Sequence, residues 1–273
     1  MAQSGTARRT VLMVKNCSRE GPGLLEPLLK ELGIAYAIVN LDAGEPFPDP
    51  RGYAALVVLG GPDSANDDTS RMRDELMRVR QALDEGIPFL GICLGLQVLV
   101  KAAGGSVVSS KVREVGWRDP QGTPYTISFV GPTHADPDPL LAGLPKIVPI
   151  FQLHGETVVL PDAQDKAAEE DDGGPGASLH LPGSHQSPAY PMTLLATGAH
   201  CENQLVRVGK DAYGIQGHLE LTPEMLAVWA EQDPDLIPLG RDKLLAGHAA
   251  QQAAYEANGR RLLENFLRVA KLC

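Results

Sequence analysis

The chain has 273 residues, 43% of them hydrophobic, with 24 Lys and Arg against 34 Asp and Glu for a formal net charge of −10. That length can bury a core within one large domain, and the negative field opposes phosphate-backbone binding, which sets nucleic acid aside as a partner. No run approaches the roughly eighteen apolar residues of a membrane span, and the opening MAQSGTARRT lacks a secretory hydrophobic stretch, so the expectation is a soluble cytoplasmic protein that engages no membrane.

Residues 1–9 are expected to be disordered. From there, short apolar runs alternate with helical patterns, the signature of βαβ units and an open, mostly parallel α/β sheet. The spacing predicts a strand at Val11–Lys15, a polar turn over Asn16–Gly23, a helix near Leu24–Leu32 and strands at Ile34–Leu41 and Ala54–Leu59. A charged helix over Thr69–Glu85 returns the chain to a strand at Ile87–Ile92. That strand runs straight into GICLGLQVLVKAAGG, where a helix begins after the cysteine and stops at Gly104-Gly105.

From Ser106 to Leu160, β-branched residues and Pro/Gly punctuation predict short antiparallel strands such as Tyr125–Val130 and Thr157–Leu160. The segment 162–191 contains EEDDGGPG and SLHLPGSHQSPAYP and reads as a surface loop insertion. Its acids, His180 and His185 read as solvated loop rather than a metal site. Strands are predicted at Met192–Ala196, Gln204–Val208 and Ala212–Gln216. A helix starts at Thr222-Pro223-Glu224, with the hydroxyl as cap and Pro at the first helical position. Residues 10–232 thus form the main domain and 233–273 a helical extension, interrupted at Asn258-Gly259, that covers a sheet edge or forms a homodimer.

Four cysteines, Cys17, Cys93, Cys201 and Cys273, are scattered without a CxxC pair, as reduced thiols are. Three read as small buried hydrophobes. Cys93 differs, because Gly91-Ile92-Cys93-Leu94-Gly95 sets a thiol on a strand-to-helix turn, the layout that exposes a nucleophile in G-x-S-x-G. The following helix dipole favours an anion there, and the Leu94 N–H is placed to donate to an oxyanion. Acyl transfer also needs a base and an orienter for it. His218 and Glu220, two apart on an extended segment, project to one side and supply both.

GICLGLQ resembles the nucleophile motif of class I, triad-type glutamine amidotransferases. GIQGHLE resembles their G-x-Q-F-H-x-E motif, and LGGP at Leu59–Pro62 stands at the matching place after the third strand. The resemblance spans about residues 10–230. It implies a flavodoxin-like sheet with Cys93 as nucleophile, His218 as general base and then acid, and Glu220 as its orienter. It further implies oxyanion donors from Gly61 and Leu94, and substrate contacts from Gly60, Gln97, His154 and Gly155, the last two through backbone. No metal and no cofactor are implied. Where the motif has Phe this chain has Gly217, and Leu219 stands for a frequent Pro; loss of the Phe is expected to enlarge the pocket or loosen the imidazole.

REVGW (Arg113–Trp117), FQLHGETVVLP and CENQLVRVG look closest to the amidotransferase half of GMP synthases and their stand-alone relatives. No SGGxDS pyrophosphate loop occurs among these residues. The resemblance therefore implies a glutaminase that forms a γ-glutamyl thioester and passes ammonia to a separate synthetase. Alternatives are a stand-alone hydrolase or transferase of another γ-glutamyl amide, and a catalytically silent binding module.

Overall fold

The computed structural model describes residues 9–130, 138–161 and 190–273. The first 58 residues lay down β1 (Val11–Lys15), α1 (Leu25–Glu31), β2 (Tyr36–Asn40) and β3 (Ala55–Val58). Then follow α2 (Ser70–Asp84), β4 (Phe89–Ile92), α3 (Leu94–Ala102), β5 (Ser106–Gly116), β6 (Thr126–Phe129), β7 (Ile147–Pro149) and β8 (Gln152–Val159). The last third supplies β9 (Met192–Gly198), β10 (Leu205–Val208), β11 (Ala212–Ile215), α4 (Pro223–Gln232), α5 (Arg241–Ala249) and α6 (Gln252–Val269).

A nine-stranded sheet runs β2-β1-β3-β4-β11-β10-β9-β6-β7, and β5 pairs with β8 in a separate antiparallel ribbon. The first five strands are mutually parallel and the remaining pairings antiparallel. Both faces are covered. Val11, Met13, Ala55 and Val57 enter a core with α1, α4 and α6, while Leu12, Val14, Leu56 and Val58 enter the opposite core with α2 and α3. This period of two, apolar on both sides, is why these strands read as continuous hydrophobic runs.

Strand order reverses between β1 and β3, and in such sheets ligands bind beyond the carboxyl ends at the reversal. The segments after β1, β3, β4 and β11 all emerge there. Helix starts follow their capping signals: Thr69 accepts from the Met72 N–H (3.1 Å) and Thr222 from the Met225 N–H (3.3 Å).

Two expectations need correction. The strand placed at Thr157–Leu160 begins five residues earlier, at Gln152, and pairs with β5, which sequence periodicity did not single out. The helix expected to break at Asn258-Gly259 runs unbroken through both. Gly259 is a close-approach glycine: a Cβ there would lie 2.0 Å from the Leu219 carbonyl oxygen. The chain instead breaks at 250–251, between α5 and α6. Tyr255, Leu262, Leu263, Phe266 and Leu267 of α6 are buried in the core shared with α1 and α4. Residues 1–8 and 162–189, which hold almost all of the expected disordered start and loop insertion, lie outside the described residues. Among the described residues no helix is long and apolar enough to cross a membrane.

Candidate active site

Cys93 ends β4 and caps α3 with φ 53° and ψ −108°, a conformation that side-chain-bearing residues avoid and that costs about 1–3 kcal/mol. The flanking glycines make the turn feasible. A Cβ on Gly91 would lie 2.3 Å from the Gly95 oxygen, and one on Gly95 would lie 2.1 Å from the Val58 oxygen. The helix therefore starts hard against β3 and β4, and the thiol is left 7% exposed at its N-terminus.

His218 and Glu220 leave β11 on extended backbone. His218 is 2% exposed and exchanges backbone hydrogen bonds with Phe151: its N–H donates to the Phe151 oxygen (2.8 Å) and its oxygen accepts from the Phe151 N–H (3.2 Å). Its Nδ1–H donates to Glu220 Oε1 (2.7 Å), and Glu220 Oε2 accepts from the Leu219 N–H (3.0 Å). Both carboxylate oxygens are thus engaged. With Nδ1 taken up, Nε2 remains for the Cys93 sulfur, which acts on the imidazole electrostatically, while the thiol itself donates to the Leu153 oxygen (3.7 Å). Burial alone would lower the imidazole, but the Glu220 carboxylate and the Cys93 sulfur outweigh it and hold His218 well above the usual imidazole range. Trp229 packs edge-on against the ring, with centroids 5.0 Å apart.

After β3, a Cβ on Gly60 would lie 3.3 Å from His218 Cε1 and 3.4 Å from Cys93 Cβ, and one on Gly61 would lie 2.7 Å from Asn16 Cβ and 3.3 Å from Leu94 Cδ2. The two glycines therefore let the turn close over the thiol, with Gly61 beside Leu94. Asn16 holds this turn by donating from Nδ2 to the Leu59 oxygen (3.2 Å) and to buried Glu75 (2.8 Å). Gly61, Cys93, Leu94 and His218 line a cavity of about 570 Å³ that also takes in Ser64, Gln97, Arg113, Leu153, Gly155 and Glu156. Gln97 is buried rather than on the helix surface, its Nε2 3.5 Å from both the Glu156 oxygen and Gln216 Oε1. His154 lines the cavity, but its ring is buried within the protein, with Nδ1 on the Glu156 oxygen (3.0 Å) and Nε2 3.0 Å from Glu114 Oε2 without a hydrogen bond.

The family model described as "Glutamine amidotransferase class-I" matches residues 23–182. The chain belongs to this family. The amidotransferase is similar to a putative glutamine amidotransferase-like protein of Salmonella typhimurium, 27% identical over 76% of this chain and 74% of that protein. A GMP synthase of Janthinobacterium is 32% identical over 38% of this chain, a stretch covering only 18% of that enzyme. In fold it is similar to a glutamine amidotransferase of Thermotoga maritima, with a TM-score of 0.75, 24% identity and coverage of 97% of this chain and 99% of that one.

Family membership implies a cysteine amidohydrolase, and the amidotransferase departs from its motif where expected, at Gly217. The consequence is not the expected one. A Cβ at 217 would meet Gln152 Oε1 and Ile150 Cδ1 at 2.6 Å each, so neighbouring side chains fill the space a Phe would take, and Trp229 and Phe151 brace the imidazole.

Several groups around Cys93 and His218 escaped sequence reading. Gln216, the Gln of GIQGHLE, donates from Nε2 to Cys93 Sγ (3.7 Å) and bridges it to Gln97. Glu20 reaches the cavity from the turn after β1, and Arg19–Asp233 (2.7 Å) and Arg113–Asp235 ion pairs stand around it. Tyr255 of α6 donates its hydroxyl to the His218 oxygen (2.9 Å) and accepts from the Leu221 N–H (3.3 Å). Among the described residues, the group whose ligand atoms lie close enough to share a cation is Glu114, His154 and Cys201, all within 4.8 Å of one another. Two of these groups are engaged internally, Glu114 Oε2 with Gln204 Nε2 (3.3 Å) and Cys201 with Thr157 Oγ1 (3.2 Å), while His154 Nε2 stands 3.0 Å from Glu114 Oε2 without a hydrogen bond. Burial pushes the Cys201 thiol up to about 11, away from the thiolate that metals take.

Proposed function

We propose that this amidotransferase hydrolyses the γ-amide of glutamine through a γ-glutamyl thioester on Cys93 and passes the ammonia to a separate acceptor enzyme. The observation that carries this reading is the strained Cys93 turn with the Glu220-anchored imidazole facing its thiol. His218, held well above its ordinary value, takes the thiol proton as sulfur attacks the γ-carbonyl carbon, and then gives a proton to the departing nitrogen. The Gly61 and Leu94 N–H groups stabilise the developing oxyanion. Water then cleaves the thioester, His218 again acting as base, to give glutamate and the free thiol. Gln97 and the backbone at 154–155 receive the amino-acid end of the substrate.

A second reading is favoured by the cavity. About 570 Å³ is the size of site that takes a drug-sized ligand, larger than free glutamine. A stand-alone hydrolase of a larger γ-glutamyl amide would use the same groups with a different leaving amine. Steady-state glutamate release from L-glutamine and from a panel of γ-glutamyl amides, with Cys93→Ala as blank, separates the two. Slow Cys93-dependent turnover of glutamine alone supports the ammonia-supplying reading, and rapid turnover of a larger amide supports the hydrolase. Release that persists undiminished in Cys93→Ala refutes both.

A further inference from the structure

The cavity wall beside His218 has a chemistry of its own. Glu20 is 6% exposed and lines the cavity. Its Oε2 lies 2.6 Å from the point a Gly60 Cβ would occupy, and that point is 3.3 Å from His218 Cε1 and 3.4 Å from Cys93 Cβ. The carboxylate thus stands next to the two groups between which the scissile amide must sit. Its neighbours are already matched: Asp233 with Arg19 (2.7 Å), Asp235 with Arg113, and Asp63 with Arg71. Glu20 takes no hydrogen bond from the described residues, and the charges acting on it are His218, Glu220, Arg19 and Asp233. Acids outnumber bases in the wall: Glu20, Asp63, Glu156, Asp233 and Asp235 stand against Arg19, Arg113 and the imidazole of His218.

We propose that this side of the cavity is a subsite for a cationic leaving amine, with Glu20 as the carboxylate that receives it. The inference rests on the γ-glutamyl amide reading and names its substrate class: the mono-γ-glutamyl amide of an aliphatic diamine, whose remote ammonium supplies the hydrogen-bonded cation that His218 and Arg19, acting on Glu20 through charge alone, do not. The leaving nitrogen must face His218, the group that protonates it, and whatever that nitrogen carries extends toward Glu20. In the reaction the γ-carbon–nitrogen bond breaks with its electron pair going to nitrogen. His218 supplies the proton, and the diamine departs as the thioester forms. Water adds to the thioester, so that amide plus water gives glutamate plus diamine with no other reactant. Burial pushes Glu20 up to about 7, so a cation beside it gains more than it would beside a solvated carboxylate.

The test compares kcat/KM for glutamate release by the full chain from the γ-glutamyl monoamide of 1,4-diaminobutane and from its uncharged counterpart, γ-glutamyl pentylamide. The expected ratio is about tenfold or more in favour of the cation, the worth of one charge-assisted hydrogen bond. It should fall to near unity in Glu20→Gln whatever that variant's absolute rate. In the unmodified chain the ratio should rise with pH through about 7; titration of the triad affects both substrates and cancels, which isolates Glu20 among the facing His218, Glu220, Arg19 and Asp233. Equal turnover of the two amides, or a preference that survives in Glu20→Gln, overturns the subsite and leaves the amidohydrolase reading standing. If Glu20→Gln does not fold, a flat pH profile of the ratio overturns it equally. No Cys93-dependent release from glutamine or from either amide overturns both.

Discussion

Replacing Gly259 with Ala tests whether α6 braces the segment that carries His218. In an ordinary helix interior the change gains about 1 kcal/mol from propensity. Here the new Cβ would lie 2.0 Å from the Leu219 oxygen and 3.1 Å from Leu24 Cδ1, and the first contact is backbone, which cannot swing aside. The helix must retreat. Overpacking costs about 1–3 kcal/mol, and the retreat weakens the Tyr255 hydrogen bonds to His218 and Leu221, worth about 1 kcal/mol each at most. The net expectation is a loss of about 1–3 kcal/mol, read as a lower urea midpoint at unchanged m value, with a fall in kcat because the His218 carbonyl is left with the Phe151 N–H as its one donor. Asn258→Ala, one residue away, is the control and should be neutral or slightly stabilising. A Gly259→Ala protein as stable as the parent, or more so, would refute the close approach and with it the bracing role of α6.

Gly95→Ala should also destabilise by about 1–3 kcal/mol against its helix propensity, since the Cβ would press on the Val58 oxygen of β3; chemical denaturation measures it. Glu220→Gln should lower kcat by about 10²–10⁴-fold with little change in fold by circular dichroism. Both carboxylate oxygens accept, from His218 and Leu219, and an amide has one oxygen for two donors. Glu75 gives a pH prediction. Burial pushes its carboxyl up from 4.5 to about 7, a folded value above the unfolded one, so its contribution is complete below about pH 4.5 and is lost as pH rises through 7. This term lowers the unfolding free energy by about 1–3 kcal/mol between pH 5 and 7.5, and Glu75→Gln, which keeps a partner for Asn16, should make the slope shallower by that amount and leave the share of Glu20, raised to about 7 as well.

What the sequence disclosed and what it hid divide along a physical line. Strands β1, β3 and β4 were legible because they are buried on both faces and have no choice but to be apolar throughout. The Cys93 turn and the His218–Glu220 pair were legible because their geometry is local: two glycines, one thiol, and a two-residue spacing on extended backbone. Strand β5 is mostly exposed or half-buried along its length and interrupted by a register shift, so it left no period to find. Gly259 misled, because a glycine in a helical pattern reads as a break unless the carbonyl it must pass is known.

Glu20, Gln216 and Tyr255 were hidden for a different reason. Each meets the triad across a long stretch of chain: Gln216 reaches Cys93 from 123 residues away and Tyr255 reaches His218 from 37. Their side chains obey no local rule that would mark them. A solvated Glu after a strand and a buried Tyr in an amphipathic helix are what any sequence offers. Gln216 is the Gln of GIQGHLE, so its place in the motif was visible and only its contact was hidden, whereas Glu20 and Tyr255 lie outside all three motifs. In the proposed subsite, discrimination between leaving amines belongs to residues such as Glu20, where the motif is silent, and the reaction class to those the motif names.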